Sequence, residues 1–345
     1  MKAISQQILS LYLLNSSMEQ RKSNISIYGW RAFKILLAVF AFWFVYDKIS
    51  EQKDAEGYLM QLKEAFQRPE TMYSLIVVLI LMVFNWLTEA MKWKLMIDRI
   101  EKISLFRSLE AVCSGLTISI FTPNRVGEFA GRVFHLEKAN KIQATIITII
   151  ENISQLLVTL LIGSIAAVYY FSVYAELSFV VSFSVCITLL VVAFISVLLF
   201  FNIRFLENVF KKLKFPQKWY VMFHVLSEYS STELFRVFIL AIIRYFIFVV
   251  QFYILIRMYG GDSTFLPSLV MIAMTYLVIT IVPSFTLVEL GIRGAAATYF
   301  FSKITLDILP VLNAVFSLWI INLAIPALAG AIFMLNFRLG KTKTE

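Results

Sequence analysis

The sequence predicts an all-α polytopic membrane protein, with six full spans and two re-entrant or broken helical hairpins arranged as an inverted repeat. Three observations carry that expectation. The chain of 345 residues is 60% apolar, with 32 phenylalanines and a mean hydropathy of +0.80, where soluble domains are roughly half apolar. Six apolar stretches reach the length of about 20 residues that crosses roughly 30 Å of hydrocarbon. Two further stretches follow one plan: Thr122-Pro123-Asn124-Arg125-Val126-Gly127-Glu128-Phe129-Ala130-Gly131-Arg132 and Val282-Pro283-Ser284-Phe285-Thr286-Leu287-Val288-Glu289-Leu290-Gly291-Ile292-Arg293. Each has a proline that interrupts an apolar run, then a Glu followed four residues later by an Arg.

Taken in order, residues 1–29 read as an interfacial or cytoplasmic segment, because apolar residues recur at helical spacing with no small-residue cleavage site. Spans are expected at about 30–47, 72–91, 142–171, 178–202, 236–258 and 308–336, and hairpins at about 106–135 and 266–302. Lys and Arg are retained on the cytoplasmic side. Arg21, Lys22, Arg31 and Lys34 therefore place the N-terminal flank inside, and Lys92, Lys94, Arg99, Lys102 and Arg107 do the same for the loop after the second span. Lys138 and Lys141 return the first hairpin to that side. The basic segment 204–218 and the tail 337–345, with Arg338, Lys341 and Lys343, are inside as well. The second hairpin must then enter from outside. Two units of one plan follow, 30–171 and 178–336, with opposite orientation, which is the architecture of alternating-access carriers.

A carboxylate or guanidinium within apolar sequence costs several kcal/mol unless it faces a partner or a watery cavity, so it marks function by default. In the first motif Gly127 and Gly131 share a helix face and allow close backbone approach. Glu128 and Arg132 have the favourable acid-first order four residues apart. Two readings stay open: the pair closes on itself and holds the hairpin, or Arg125 and Arg132 grip a lipid phosphate, as arginine does bidentately. Glu289 and Arg293 repeat the arrangement. Glu151 lies near mid-span, and Arg244 lies at a matching depth in its own span, so these two are expected to pair. They would form either a static strut or a gate.

The tryptophans, Trp30, Trp43, Trp86, Trp93, Trp219 and Trp319, are expected as interfacial anchors. Cys113 and Cys186 read as small core residues, and His135 and His224 have no neighbouring ligand residues, so no metal site is expected. The chain has no GxSxG, HExxH or P-loop sequence. With 15% charged residues it also has no room for an ordinary soluble catalytic domain. It is read as not an enzyme.

The order Thr122-Pro123-x-Arg125-x-Gly127-Glu128, a downstream span carrying Glu151, and Pro283 followed by Glu289-x-Gly291-x-Arg293-Gly294 resemble the transmembrane region of lysylphosphatidylglycerol synthases and the stand-alone flippase-like proteins related to it. The resemblance covers nearly the whole chain. It departs where the family's Gly-rich turn stands as Pro283-Ser284-Phe285-Thr286 and where a Glu-Arg pair stands as Glu151-Asn152. The resemblance implies movement of phospholipid or lipid-linked glycan across the bacterial cytoplasmic membrane, with both termini cytoplasmic. Synthesis of aminoacyl lipid is not implied, because the soluble transfer domain of longer members is not seen in the sequence. The expected substrate-binding residues are Arg125, Glu128, Arg132, Glu151, Arg244, Glu289 and Arg293. Expected partners are an anionic phospholipid or lipid-linked headgroup, membrane lipids and an envelope-biogenesis protein, with no nucleic acid and no cofactor. The alternative is a non-catalytic scaffold or accessory subunit of an envelope-lipid or glycosyltransferase complex.

Overall fold

A computed structural model of the chain describes residues 60, 63–64, 67–120, 122, 125–202, 228–282 and 286–336. The expected N-terminal segment, the first span at about 30–47, the basic stretch after residue 202 and the C-terminal tail lie outside the described residues. So do Pro123 and Pro283 of the two motifs.

All regular structure among the described residues is helical: α1 Pro69–Ile97, α2 Leu105–Ser119, α3 Gly127–Val133, α4 Lys141–Val173, α5 Phe179–Phe201, α6 Ser231–Met258, α7 Phe265–Ile281, α8 Thr286–Phe301, α9 Leu309–Trp319, a π-helical turn Ile320–Ala324, and α10 Ile325–Asn336. Five stretches are long and apolar enough to cross a membrane: α1, α4, α5, α6 and the continuous α9–α10 segment Leu309–Leu335. Each sequence-predicted span within the described residues has one of these in its place. The two expected hairpins are helix–break–helix elements, α2 with α3 and α7 with α8.

Local sequence sets the ends. Pro69 stands in the first turn of α1, where its missing N–H costs nothing. The Ser104 side chain accepts from the Arg107 N–H at the start of α2, and Asn140 accepts from the Ile142 and Gln143 N–H groups at the start of α4. Ser230 and Glu233 form a reciprocal capping box on α6. Pro326 explains the π turn. It has no N–H to offer the Asn322 carbonyl and its ring crowds that carbonyl, so the preceding turn widens. The Ile325 N–H then bonds back to the Ile320 carbonyl, five residues away.

The helices pack in a regular scheme. α1 lies against α6 at the centre, α4 lies against α7, and α10 lies against α2. Around them, α2 touches α1 and α3, α7 touches α6 and α8, α3 touches α4, and α8 touches α9. α5 is peripheral and exposes most of its apolar surface.

The tryptophan expectation is corrected here. Trp86, Trp93 and Trp319 are buried in the core and not spread at an interface. Trp93 Nε1 donates to Thr148 Oγ1 at 2.9 Å, and the Arg244 guanidinium lies 5.5 Å from the Trp86 ring. The apolar run of α1 gives way near Trp86 and Trp93, but the helix carries on past them for a turn or more, and Trp319 stands in the middle of its apolar stretch. Cys113 is buried and, like Cys186, is a free thiol.

Candidate functional site

Close helix contact places the first motif inside the bundle. A Cβ on Gly131 would stand 2.5 Å from the Gly115 Cα, and one on Gly115 would stand 2.9 Å from the Arg132 Cγ. Only glycine at both positions lets α3 lie this near α2. The short helix therefore points Arg132 into the core, where its side chain is fully buried.

Arg132 meets three carboxylates. Its Nη1 donates to Glu151 Oε2 at 2.9 Å, its Nη2 donates to Glu89 Oε1 at 2.6 Å, and it also binds Glu128 on its own helix. Lys92 Nζ lies 3.0 Å from Glu89 Oε2 and 2.7 Å from Glu151 Oε1. Arg244 Nη1 lies 3.0 Å from the same Glu89 oxygen. Glu89, Glu128 and Glu151 thus face Lys92, Arg132 and Arg244, and the formal charges cancel.

A polar file continues from this cluster. Arg244 Nε donates to Asn85 Oδ1 at 2.9 Å, Asn85 Nδ2 to Asn322 Oδ1 at 2.9 Å, Asn322 Nδ2 to Gln251 Oε1 at 3.1 Å, and Gln251 Nε2 to the Val78 carbonyl at 2.9 Å. Asn322 belongs to the π turn, so the irregular backbone carries a side chain that bridges α1 and α6.

The expected Glu151–Arg244 pair is not formed. Arg244 binds Glu89, while Glu151 binds Arg132 and Lys92. Matched depth fixes one coordinate only. Arg244 turns to Glu89 on α1, and Lys92 and Arg132 link that carboxylate to Glu151. Sequence reasoning missed Glu89 and took Lys92 as a loop charge. The available signal was an acid and a lysine three residues apart, on one helix face beside an apolar run.

A second, smaller group joins the two broken elements. Arg125 Nη2 donates to both oxygens of Glu289, at 3.0 and 2.8 Å. Arg293 Nε and Nη2 donate to Glu289 Oε1 at 3.0 and 2.5 Å. Arg125 has a φ of +56°, a left-handed conformation that costs a non-glycine residue about 1 kcal/mol or more. It lies in the break between α2 and α3 and reaches across to α8. The group holds two guanidiniums against one carboxylate, a surplus of one positive charge. The arginine side chains are 34% and 24% exposed, against 9% for Glu289. Arg293 also lines a cavity of about 130 Å³ with Gln155, Thr159, Tyr245, Tyr276 and Thr280.

The structure therefore divides the seven sequence-predicted residues into two groups. Glu128, Arg132, Glu151 and Arg244 share a closed, charge-balanced cluster, and Arg125, Glu289 and Arg293 form an open, cationic one. Among the described residues no three His, Cys, Asp or Glu side chains gather to hold a metal ion.

These features define a multi-pass membrane protein of apolar helices that buries an ion network at its centre. The chain belongs to the family of the lysylphosphatidylglycerol synthase transmembrane region, whose profile matches residues 31–330. No curated protein and no solved structure matches it.

Proposed function

We propose that this chain translocates a phosphate-bearing lipid, a phospholipid or a lipid-linked glycan, across a bacterial cytoplasmic membrane, without being an enzyme. The observation that carries the reading is the Arg125–Glu289–Arg293 group. Two guanidiniums are held by one carboxylate, partly exposed and with one positive charge in excess. A phosphate can take the place of the carboxylate, because each guanidinium presents a fork of donors suited to either anion. Glu289 thus acts as an internal anion that keeps the site formed while no lipid is bound. Arg132, the third phosphate contact expected from sequence, serves in this reading to hold the hairpin, since carboxylates already surround it.

An inverted repeat with both termini cytoplasmic remains part of the proposal. The packing scheme supports the repeat, and the basic flanks Arg21, Lys22, Arg338 and Lys341 support its inversion and the cytoplasmic termini. Exchanging α1 with α6, α2 with α7, α3 with α8, and α4 with the α9–α10 segment turns the set of contacts among these helices into itself. The Arg125–Glu289 contact then joins the break of one half to the helix after the equivalent break of the other.

The test is reconstitution in liposomes with fluorescently labelled phospholipids or a labelled lipid-linked sugar. Wild-type protein should move label between leaflets, and an Arg125→Gln/Arg293→Gln double variant should lose most of that movement. Equal rates would sink the reading. The charge-balanced cluster around Arg132 favours a second reading, a scaffold in which the polar residues are structural. Co-purification of a fixed envelope-biogenesis partner, together with unaltered label movement, would support it.

A further inference from the structure

A groove opens where the C-terminal end of α1 meets the N-terminal end of α6. The ends are held in register by Arg99, which donates to Glu233 at 3.0 and 2.7 Å, and by Tyr229, whose hydroxyl donates to the Met96 carbonyl at 2.7 Å. The groove has a volume of about 560 Å³ and walls of Met91, Leu95, Leu105, Phe235, Ile239 and Leu240. Met91, Leu95 and Phe235 are 41%, 40% and 54% exposed.

The lip of the groove is polar, formed by Lys94, Asp98 and Arg236. Lys94 and Asp98 pair with each other, so their charges cancel. Arg236 is exposed and has no ion pair or hydrogen bond among the described residues. The lip thus carries one unbalanced positive charge. From Asp98 down to Met91 is seven residues of helix, roughly 10 Å, which accommodates the upper part of an acyl chain.

We propose that this groove seats one acyl chain of an anionic phospholipid, whose phosphate rests on Arg236. An apolar slot ending at an unpaired guanidinium matches an amphiphile with a negative head. A neutral or zwitterionic lipid would fill the slot but leave the charge unmatched. The groove shares no residue with the Arg125–Glu289–Arg293 group and needs no transport, so it stands or falls separately from the proposed function.

Native mass spectrometry of the full chain, titrated with phosphatidylglycerol and with phosphatidylcholine of the same acyl composition, tests the proposal. One basic residue near a membrane surface favours anionic lipid by roughly fivefold, so wild type should retain one phosphatidylglycerol about that much better. Arg236→Gln should erase the preference and leave phosphatidylcholine retention unchanged. Leu240→Trp, which fills the slot, should lower retention of both lipids. The same comparison in an Arg293→Gln background, which weakens the proposed transport site, should show the same loss of preference on Arg236→Gln. Circular dichroism melts should show that each variant folds. The proposal is overturned if Arg236→Gln keeps the preference, or if a benzophenone side chain at Ile239 crosslinks to residues 203–227 of the same chain instead of to lipid.

Discussion

Arg125 and Glu289 stand 164 residues apart in the chain, yet one guanidinium nitrogen of Arg125 donates to both carboxylate oxygens of Glu289. The contact ties the break of the first broken element to the helix that follows the break of the second. A strained backbone at Arg125 persists there because the surrounding structure holds it.

An Arg125→Gly variant separates anion binding from folding. Glycine adopts the left-handed conformation freely, and the lost ion pair is partly exposed, so about 0–1 kcal/mol is at stake. The predicted change in unfolding free energy is within about 1 kcal/mol, measured by denaturant titration in detergent. Label movement in liposomes should fall at least tenfold, about 1.4 kcal/mol in the barrier. Retained movement would remove Arg125 from the transport site.

Arg132→Gln leaves Glu89, Glu128 and Glu151 facing each other without their shared partner. Breaking a buried ion pair from one side costs about 3–5 kcal/mol, and thermal unfolding should show a loss of that order. Arg132→Lys should restore only part of it, because an ammonium cannot reproduce the two-nitrogen reach to Glu151 and Glu89. Wild-type stability in the lysine variant would argue against the fork.

The glycines of the two motifs should respond in opposite ways. A Cβ at Gly131 meets the Gly115 backbone at 2.5 Å, whereas one at Gly291 meets nothing within 4 Å. Gly131→Ala is expected to destabilise by about 1–3 kcal/mol through overpacking. Gly291→Ala should stabilise by about 0.5–1 kcal/mol through helix propensity. Parallel melting curves for the pair decide the matter.

Outside the helical spans, Glu101 accepts backbone N–H bonds from Glu137, Lys138 and Ala139, at 3.1, 2.7 and 2.8 Å. Burial pushes its pKa up. The three N–H groups and the nearby Arg107 more than reverse this and hold the carboxyl below the usual carboxylate range. A carboxyl with a lowered folded-state pKa adds stability that is complete above its unfolded value, near 4.3. That stability fades as pH falls through the folded value. Protection from hydrogen exchange at residues 137–139, taken relative to the intrinsic rate at each pH, should therefore fall below about pH 4. In Glu101→Gln that protection should be low already at neutral pH and lack this acid-side change.

The spans were legible because hydropathy over twenty residues is a strong signal, and α1, α4, α5 and α6 lie where the apolar runs place them. The paired Glu-x-x-x-Arg sequences were legible as local ion pairs, and both form. The partners across helices were not. Depth along a helix can be counted from sequence, but the direction a side chain faces depends on neighbours, so Arg244 was matched to Glu151 when Glu89 receives it. Glu89 and Lys92 escaped notice because they sit where an apolar run gives way to basic residues and looked like the edge of a span. Burial of Trp93 beside Thr148 shows how far the core extends past that edge.

The unequal charge of the two groups has an electrical consequence. Moving one elementary charge across a membrane takes about 2.3 kcal/mol per 100 mV. The cluster around Arg132 is neutral, so a membrane potential exerts little net pull on it. The Arg125–Glu289–Arg293 group, with its surplus of one positive charge, would feel the field when empty. A phosphodiester bound there brings the sum to zero, so in the proposed transport cycle the loaded site would cross the field without electrical work, and the empty one would not.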